Sequence, residues 1–158
     1  MAIEATVCLI RRDGQLLLQE KAKGLFGGGK WDGPGGKMKP RESAAQCIVR
    51  EVEEETGLTV IDPVLHGSLA VFFGPGEEPD WIVHVFSASR FTGELHPSLE
   101  GHLRWFAEGQ LPYDRMWPSD RFWLPQMLDG SLDGKPFEAR LWFDEAGEVL
   151  LHQRLVIS

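Results

Sequence analysis

One segment constrains the fold of this chain more than any other: an acidic helix that follows a glycine-rich loop. Residues Arg41 to Thr56 are predicted to form this helix, since Pro40 precedes them and Gly57 stands where helices commonly end. Near the end of the helix, four of five consecutive residues are glutamates. Like charges at helical spacing repel each other, so this arrangement requires either a function or full exposure to solvent. Apolar residues at helical spacing predict a buried stripe beside the acidic residues: Ala45, Ile48, Val49 and Val52.

Three of the glutamates share one face of the predicted helix. Glu51, Glu54 and Glu55 stand at positions i, i+3 and i+4, which lie close together on a helix of about 100° per residue. This face borders the apolar stripe, so it is neither fully buried nor fully exposed. Converging carboxylates supply the hard oxygen ligands that Mg²⁺ or Mn²⁺ prefers, and a bound cation would relieve the repulsion. A solvated helix face is the alternative interpretation of the same pattern.

The rest of the chain predicts a single α/β domain over residues 1–158, with a mixed, largely antiparallel sheet. The pattern is typical of two strands joined at Asp13-Gly14, two further strands, a short strand and a closing hairpin. A second helix is predicted from Trp117 to Gly130, with Pro118 near its first turn and Pro125 inside it. The predicted strands cover residues 3–10, 15–20, 65–73, 81–91 and 104–106, and the hairpin covers 135–157.

Composition and charge exclude several classes of partner. The net charge is −8 and no basic cluster occurs, so we expect no binding to long nucleic acid. Cys8 and Cys47 lie in apolar flanks, which is typical of buried, reduced thiols in a cytoplasmic protein. The N-terminus does not have the pattern of a signal peptide, and no apolar run approaches the length of a membrane span. We expect a cytoplasmic protein, monomeric or homodimeric, that does not bind membranes.

The glycine loop and the acidic helix together resemble a known family motif. From Gly36 there are five residues to Glu42 and seven more to Arg50, followed by the run "REVEEETGL". This resembles the Nudix box, G-x5-E-x7-R-E-U-x-E-E-x-G-U with U aliphatic, at every defined position. A pattern with so many fixed positions is far more specific than a lone glycine motif.

The resemblance implies a fold, a reaction and roles for the motif residues. The fold is an α/β/α sandwich with two main helices, and the reaction is hydrolysis of a nucleoside diphosphate linked to another group. Glu51, Glu54 and Glu55 would bind Mg²⁺ or Mn²⁺ with help from the Gly36 carbonyl. Arg50 would orient one of the glutamates through a charge-assisted hydrogen bond, and Glu42 would brace the loop or complete the ion pairs.

Cleavage of a pyrophosphate also requires a group that accepts a proton from the attacking water. One of the helix glutamates is a candidate for this role. Some members of the family take the base from a later loop, and Glu100 is the candidate there, also as a further metal ligand. A solvated loop carboxylate is the alternative interpretation of Glu100.

The segments outside the motif indicate the nucleotide. "GLFGGGKWDGPGGK" and "MWPSDRFWLPQML" are similar to the corresponding segments of the mammalian MutT homologues, which hydrolyse oxidised purine nucleoside triphosphates. Aromatic residues of this chain would form a flat apolar slot for a purine, and Lys23 would contact phosphates. The aromatic candidates are Phe26, Phe72, Trp81, Trp117 and Trp123. Trp123 also suits the hydrophobic core.

Three polar positions would bind the edge of the base. In the resembled proteins these are an asparagine and two aspartates, and here they are Asp32, Ser119 and Asp120. The two departures, Asp32 and Ser119, bear on specificity, because an ionised aspartate only accepts hydrogen bonds. It would repel a purine O6 and favour an exocyclic amino group, as in 2-oxo-adenine. Helix capping by Ser119 or Asp120 and a turn at Asp32 are alternatives.

The function that we expect is Mg²⁺-dependent hydrolysis of a modified purine nucleoside triphosphate to the monophosphate and pyrophosphate. The substrate would be of the 8-oxo-dGTP or 2-oxo-dATP type. Two alternatives remain at this stage. The first is a Nudix hydrolase of another substrate, such as ADP-ribose, a dinucleoside polyphosphate or a capped RNA end. The second is a non-catalytic nucleotide-binding module, which retention of all three glutamates disfavours.

Overall fold

A computed structural model of the chain describes residues 1–24, 28–96 and 101–158. Short 3₁₀ helices at Glu108–Gln110 and Tyr113–Arg115 precede the second α-helix. The strands and α-helices are β1 Ile3–Arg12, β2 Gln15–Lys21, β3 Trp31–Asp32, α1 Ala44–Thr56, β4 Thr59–Val60, β5 Val64–Phe73, β6 Trp81–Ala88, β7 Phe91–Thr92, β8 Gly101–Ala107, α2 Asp120–Leu128, β9 Phe137–Phe143 and β10 Leu150–Ile157.

The main sheet is mixed, as the sequence predicts. Its strands follow the order β10-β9-β5-β6-β1-β2-β3, and β8 also pairs with β2. Two pairs of strands in this sheet are parallel: β1 with β6, and β5 with β9. The other pairs of this sheet are antiparallel. β4 and β7 form a separate antiparallel pair. The closing hairpin and the β1–β2 hairpin are both present where the sequence predicts them.

β1 and β2 separate immediately after their turn, and this opens the sheet between them. They pair only where residues 11–12 meet residues 15–16. Beyond that point β1 pairs along its length with β6, and β2 pairs with β8. The free edge of β1 is therefore available to another segment of the chain.

The glycine-rich loop occupies that free edge. The Cys8 amide donates to the Pro34 carbonyl at 2.8 Å, and the Thr6 amide donates to the Gly36 carbonyl at 2.9 Å. The loop thus runs beside β1 as an irregular strand, and its course from Asp32 onward is fixed by backbone hydrogen bonds.

The two α-helices cover opposite faces of the sheet, because side chains of a strand alternate between its faces. In β1, Cys8 and Ile10 pack with Ile48 and Val52 of α1, whereas Val7 and Leu9 pack with residues of α2. This gives the α/β/α layering that the family resemblance implies. The prediction that Ala45 belongs to the buried stripe is wrong: Ala45 is exposed, and Ala44 packs against the cluster of Ile48 and Val52 instead.

α1 begins three residues later than the sequence predicts. Ser43 caps the helix in a reciprocal capping box with Gln46, and Arg41 has a left-handed backbone with φ of 66°. The predicted start at Arg41 is therefore wrong, because Ser43 supplies a better N-cap than the chain after Pro40. The predicted end is confirmed, since Gly57 takes the left-handed conformation with φ of 83°.

Two other predicted boundaries also change. The strand predicted over residues 81–91 ends at Ala88, and Phe91 belongs to β7, which pairs with β4 instead. α2 starts at Asp120 rather than Trp117, and Pro125 lies inside it without ending it. Among the described helices, none combines the length and the apolar character that crossing a membrane requires.

Candidate active site

The glycine loop meets α1 at Gly36, where a side chain would not fit. A Cβ atom built on Gly36 would lie 2.7 and 2.8 Å from the two carboxylate oxygens of Glu51. The Gly36 carbonyl accepts hydrogen bonds from the Thr6 amide at 2.9 Å and from Thr6 Oγ1 at 3.2 Å. The loop backbone and the Glu51 carboxylate are therefore held in direct contact.

Arg50 binds three glutamates at once and so offsets much of their mutual repulsion. Its Nε and Nη2 donate to the two oxygens of Glu42 at 2.6 and 2.8 Å. Its Nη1 donates to Glu51 at 2.8 Å and to Glu54 at 3.2 Å. The Arg50 hydrogen bonds lower the pKa of Glu42 to about 2, and the same bonds raise the pKa of Arg50. Arg50 thus makes the charge-assisted contacts that its predicted orienting role requires. Glu42 takes part in these ion pairs and also accepts from the Lys39 amide of the loop at 3.0 Å.

Glu55 is held differently, in the interior. Its side chain is 2% exposed, whereas that of Glu54 is 54% exposed. Glu55 Oε1 accepts a hydrogen bond from the Gly35 amide at 2.9 Å, and Oε2 lies 3.6 Å from Lys21 Nζ. This carboxylate ties α1 to both the glycine loop and β2.

The glutamates of α1 are not assembled into a finished chelate. Within residues 1–24, 28–96 and 101–158, no three His, Cys, Asp or Glu side chains lie close enough together to hold a metal ion. Glu51 and Glu54 do bind the same guanidinium nitrogen, and the Gly36 backbone lies against the Glu51 carboxylate. The donors are hard oxygens, which suit Mg²⁺ or Mn²⁺. The chemistry of these residues therefore fits a divalent cation.

A cavity of about 120 Å³ opens on the other side of the glycine loop. Of the predicted base-binding residues, it brings together Asp32, Ser119, Asp120, Trp81, Trp117 and Trp123. Trp123 is 3% exposed and belongs to the core, as the alternative interpretation of this residue predicts, while it also lines the cavity. The loop from Asp32 to Gly36 spans at most about 14 Å, because an extended residue covers at most about 3.6 Å. The cavity and the acidic face of α1 are thus close enough for one nucleotide to reach both.

The prediction that Phe72 lines this cavity is wrong. Phe72 lies on the opposite face of β5, where it stacks on Trp142 with ring centroids 4.9 Å apart. Its neighbour Phe73 lines the cavity instead, together with Phe143. Pairing of Val71 with Trp81 sets this arrangement, because alternate residues of β5 then share the cavity face.

Lys23 is the remaining predicted substrate contact that the described residues include. It is exposed in the turn after β2 and does not line the cavity. Phe26 and Glu100 lie outside the described residues. Two lysines that the sequence analysis missed are placed closer: Lys30 Nζ lies 5.2 Å from the ring centroid of Trp117, and Lys37 Nζ lies 5.5 Å from that of Trp81. In the sequence, these two lysines are marked only by their position on either side of the segment from Trp31 to Gly36.

Two carboxyl groups meet at the polar end of the cavity. Burial raises the pKa of Asp32 to about 6, against the opposing effects of the Lys21 charge and a hydrogen bond from the Gly33 amide. Burial and the nearby Asp32 also raise the pKa of Asp120 well above its ordinary value, although the Trp117 amide donates to it at 3.2 Å. Both carboxyl groups therefore keep a proton to a higher pH than solvated aspartates do, and a protonated carboxyl donates a hydrogen bond whereas an ionised one only accepts.

The capping and turn alternatives are settled separately for each residue. Ser119 occupies the N-cap position of α2 but makes no capping hydrogen bond with its side chain. Asp120 is the first residue of the helix rather than its cap, and it accepts from the preceding Trp117 amide. Asp32 does accept from the Gly33 amide at 2.8 Å, so it stabilises the local turn and also faces the cavity.

Comparisons with known proteins agree on one family. A model of the NUDIX domain matches residues 2–127. An oxidized purine nucleoside triphosphate hydrolase from Danio rerio is 40% identical over 126 residues, which cover 78% of each chain. The protein of the same name from Mus musculus is 38% identical over 125 residues, again 78% of each chain. A crystal structure of the mutator MutT protein from Bacillus halodurans has a TM-score of 0.84, at 28% identity over 97% of each chain.

The raised pKa of Asp32 predicts a pH-dependent contribution to stability. Because the folded chain holds this proton up to about pH 6 and the free side chain only to 3.8, the contribution is complete below pH 4. It is lost as the pH rises through 6. We expect Asp32→Asn to become more stable relative to the wild type between pH 4 and 6, by up to about 3 kcal/mol.

Urea denaturation at several pH values measures this difference. Asp13→Asn, in the β1–β2 turn, is the matched control and should follow the wild type. Parallel pH profiles for Asp32→Asn and the wild type would contradict the burial of Asp32.

Proposed function

The chain belongs to the Nudix family, as its sequence motif predicts, and on this premise we propose that it hydrolyses modified purine nucleoside triphosphates. The products are the nucleoside monophosphate and pyrophosphate, and the role is removal of damaged nucleotides from the precursor pool. One observation carries the proposal: a cavity with aromatic walls and a carboxyl pair at its end is joined to the acidic face of α1 by a five-residue loop.

Two independent observations support the proposed substrate class. Relatives at 40% and 38% identity are named as oxidized purine nucleoside triphosphate hydrolases. Within this chain, Trp117, Trp81 and Phe73 form apolar walls on which a flat base stacks. Asp32, Asp120 and Ser119 provide hydrogen-bonding groups at the end of the cavity. An ionised Asp32 only accepts hydrogen bonds, so it suits a base edge that carries an amino group.

The reaction is assigned to the loop and α1. Glu51, Glu54 and Glu55, with the Gly36 carbonyl, would hold Mg²⁺ or Mn²⁺, which neutralises phosphate oxygens and activates water for attack on phosphorus. Arg50 holds Glu51 and Glu54 in place through Nη1 and is itself fixed by Glu42. Glu55 holds the loop against α1, so that the Gly36 carbonyl faces the same region. A carboxylate, either on α1 or at Glu100, would accept the proton from the attacking water.

Two peripheral assignments belong to the same proposal. Lys23 is exposed at the entrance of the glycine loop, from where it would contact phosphates. Both cysteines are free thiols in the described structure and both are buried, which suits the reducing cytoplasm. We further infer that the protein is a monomer or a homodimer.

The proposal is tested first by incubating a panel of nucleotides with Mg²⁺ and measuring, by chromatography, the nucleoside monophosphate that each one yields. The panel contains 8-oxo-dGTP, 2-oxo-dATP, O6-methyl-dGTP, the four unmodified dNTPs and ADP-ribose. We expect kcat/KM for at least one modified purine to exceed that of its unmodified parent by about tenfold or more, because one hydrogen bond to the base edge accounts for about that factor. A preference for ADP-ribose would still be a Nudix reaction, but it would contradict the proposed substrate class. Tight nucleotide binding without turnover would indicate the non-catalytic alternative.

Replacement of Glu54 tests the metal assignment. Glu54→Gln keeps the shape of the side chain and removes its charge, so it should lower kcat by about a hundredfold or more while the fold remains intact. Binding of Mn²⁺, followed by electron paramagnetic resonance, should weaken in parallel. Glu53→Gln makes the same change on an exposed part of the same helix and should keep wild-type kcat. Wild-type turnover of Glu54→Gln at saturating Mg²⁺ would rule out Glu54 as a ligand.

Replacement of Asp32 tests how the base is selected. An ionised Asp32 can only accept hydrogen bonds, whereas an asparagine at this position can also donate one. In Asp32→Asn, the ratio of kcat/KM for guanine-type over adenine-type substrates should therefore rise by about tenfold. Asp13→Asn, remote from the cavity, should leave the ratio unchanged. An unaltered ratio in Asp32→Asn would show that this residue does not contact the base edge.

A further inference from the structure

A buried glycine stands in the otherwise exposed turn between β9 and β10. Glu145, Ala146 and Glu148 are exposed, whereas Gly147 is buried. A Cβ atom built on Gly147 would lie 3.0 Å from Phe73 Cε1 and 3.4 Å from Trp117 Cζ3. Phe73 and Trp117 are two walls of the base cavity. The turn therefore contacts the cavity walls from outside, at the one position without a side chain.

The turn is held firmly by its own hydrogen bonds. Asp144 Oδ1 accepts from the amides of Glu148 at 2.8 Å and Val149 at 3.2 Å. The Gly147 amide donates to the Asp144 carbonyl at 3.0 Å, and the Asp144 amide donates to the Val149 carbonyl at 3.0 Å. With four such bonds in six residues, the turn cannot move away easily from a clash. The aromatic rings would have to move instead.

The rings that contact the turn also contact each other. Phe143 lies just before the turn, with its ring centroid 5.7 Å from that of Phe73. The same Phe143 ring packs edge-on against Trp117 at 6.1 Å and 72°. The carbonyl of Phe143 accepts a hydrogen bond from the Gly74 amide at 3.2 Å, which fixes the end of β5 beside it. A displacement at the turn would therefore reach the whole aromatic wall.

We propose that Gly147 is a positioning residue that sets the place of the Phe73 and Trp117 rings, and with it the width of the slot for the base. The β9–β10 turn is then the outer support of the base cavity. This inference depends on the proposed function, because it takes the cavity to be the base site. A Cβ at 3.0 Å from a ring forces that ring inward by a few tenths of an ångström, since interiors are close-packed.

The test compares two glycine-to-alanine variants that carry the same backbone strain. Gly147 has φ of +73°, and Gly14 in the β1–β2 turn has φ of +74° with nothing within 4 Å of its Cβ position. Gly147→Ala and Gly14→Ala thus share the cost of an alanine in the left-handed region, and only the first contacts the rings. Both are assayed with the preferred modified purine triphosphate and with 2′-deoxyribose 5′-triphosphate, which lacks the base.

We expect Gly147→Ala to raise KM for the purine substrate by about tenfold with kcat unchanged. Its KM for the base-free triphosphate should stay at the wild-type value, because only contacts to the base are altered. Gly14→Ala should match the wild type with both substrates. An unchanged purine KM, or an equal rise with both triphosphates, would overturn the role of Gly147.

Two further measurements keep the result decisive. If Gly147→Ala is unfolded at the assay temperature, Gly147→Asn replaces it, since asparagine tolerates positive φ and still places a Cβ against the rings. If the wild type hydrolyses no nucleotide, the proposed function fails by itself. Dissociation constants for purine triphosphates, from quenching of tryptophan fluorescence, then decide the positioning role: a tenfold weaker Kd in Gly147→Ala supports it, and equal values refute it.

Discussion

Close packing of a glycine segment against the β1 backbone is the contact on which both halves of the site depend. A Cβ on Gly33 would lie 2.7 Å from the Cys8 carbonyl oxygen, and one on Gly35 would overlap the Thr6 carbonyl oxygen. Larger residues would therefore push the loop away from β1. Because the loop lies on β1, its first residue reaches the cavity and its last reaches the carboxylate of Glu51. The glycines thus hold the cavity and the acidic face of α1, the proposed sites of base recognition and of phosphate chemistry, in a fixed relation.

The acidic face of α1 is tolerated because its charges are compensated in two distinct ways. Arg50 binds Glu42, Glu51 and Glu54 near the surface, where its guanidinium donates in several directions at once. Glu55 is instead buried, and its charge is met by a loop amide and the Lys21 ammonium group. In the proposed metal site, the outer glutamates would exchange an arginine contact for a cation, whereas Glu55 is tied to the glycine loop and β2. This division explains how an acidic helix is stable before any metal binds.

Local pattern predicted the parts of the fold and the site that depend on local rules. The buried residues Ile48 and Val52 of α1, the end of this helix at Gly57 and the two hairpins follow from spacing and turn residues, whereas Ala45 is exposed against that pattern. Phe72 shows where such rules fail. β5 contains adjacent aromatic residues and a register shift between Leu65 and Gly67, so the face of each residue depends on pairing with β6. The sequence likewise contains no signal that Gly147 contacts Trp117, because that contact joins a turn to a loop through the fold.

The proximity of Asp32 and Asp120 is a property of the fold rather than of either segment, and it carries an electrostatic consequence. The same apolar walls that suit a stacked base also remove water from the two carboxyl groups, which raises the pKa of both. Stacking and proton retention are therefore coupled: a wider or wetter cavity would weaken both together. The positions of the aromatic rings then determine more than shape, since they also keep water away from both carboxyl groups. In the proposed base site, selectivity would depend on packing and on charge at once, and the contacts that hold the walls would belong to the recognition apparatus as much as the groups that touch the base.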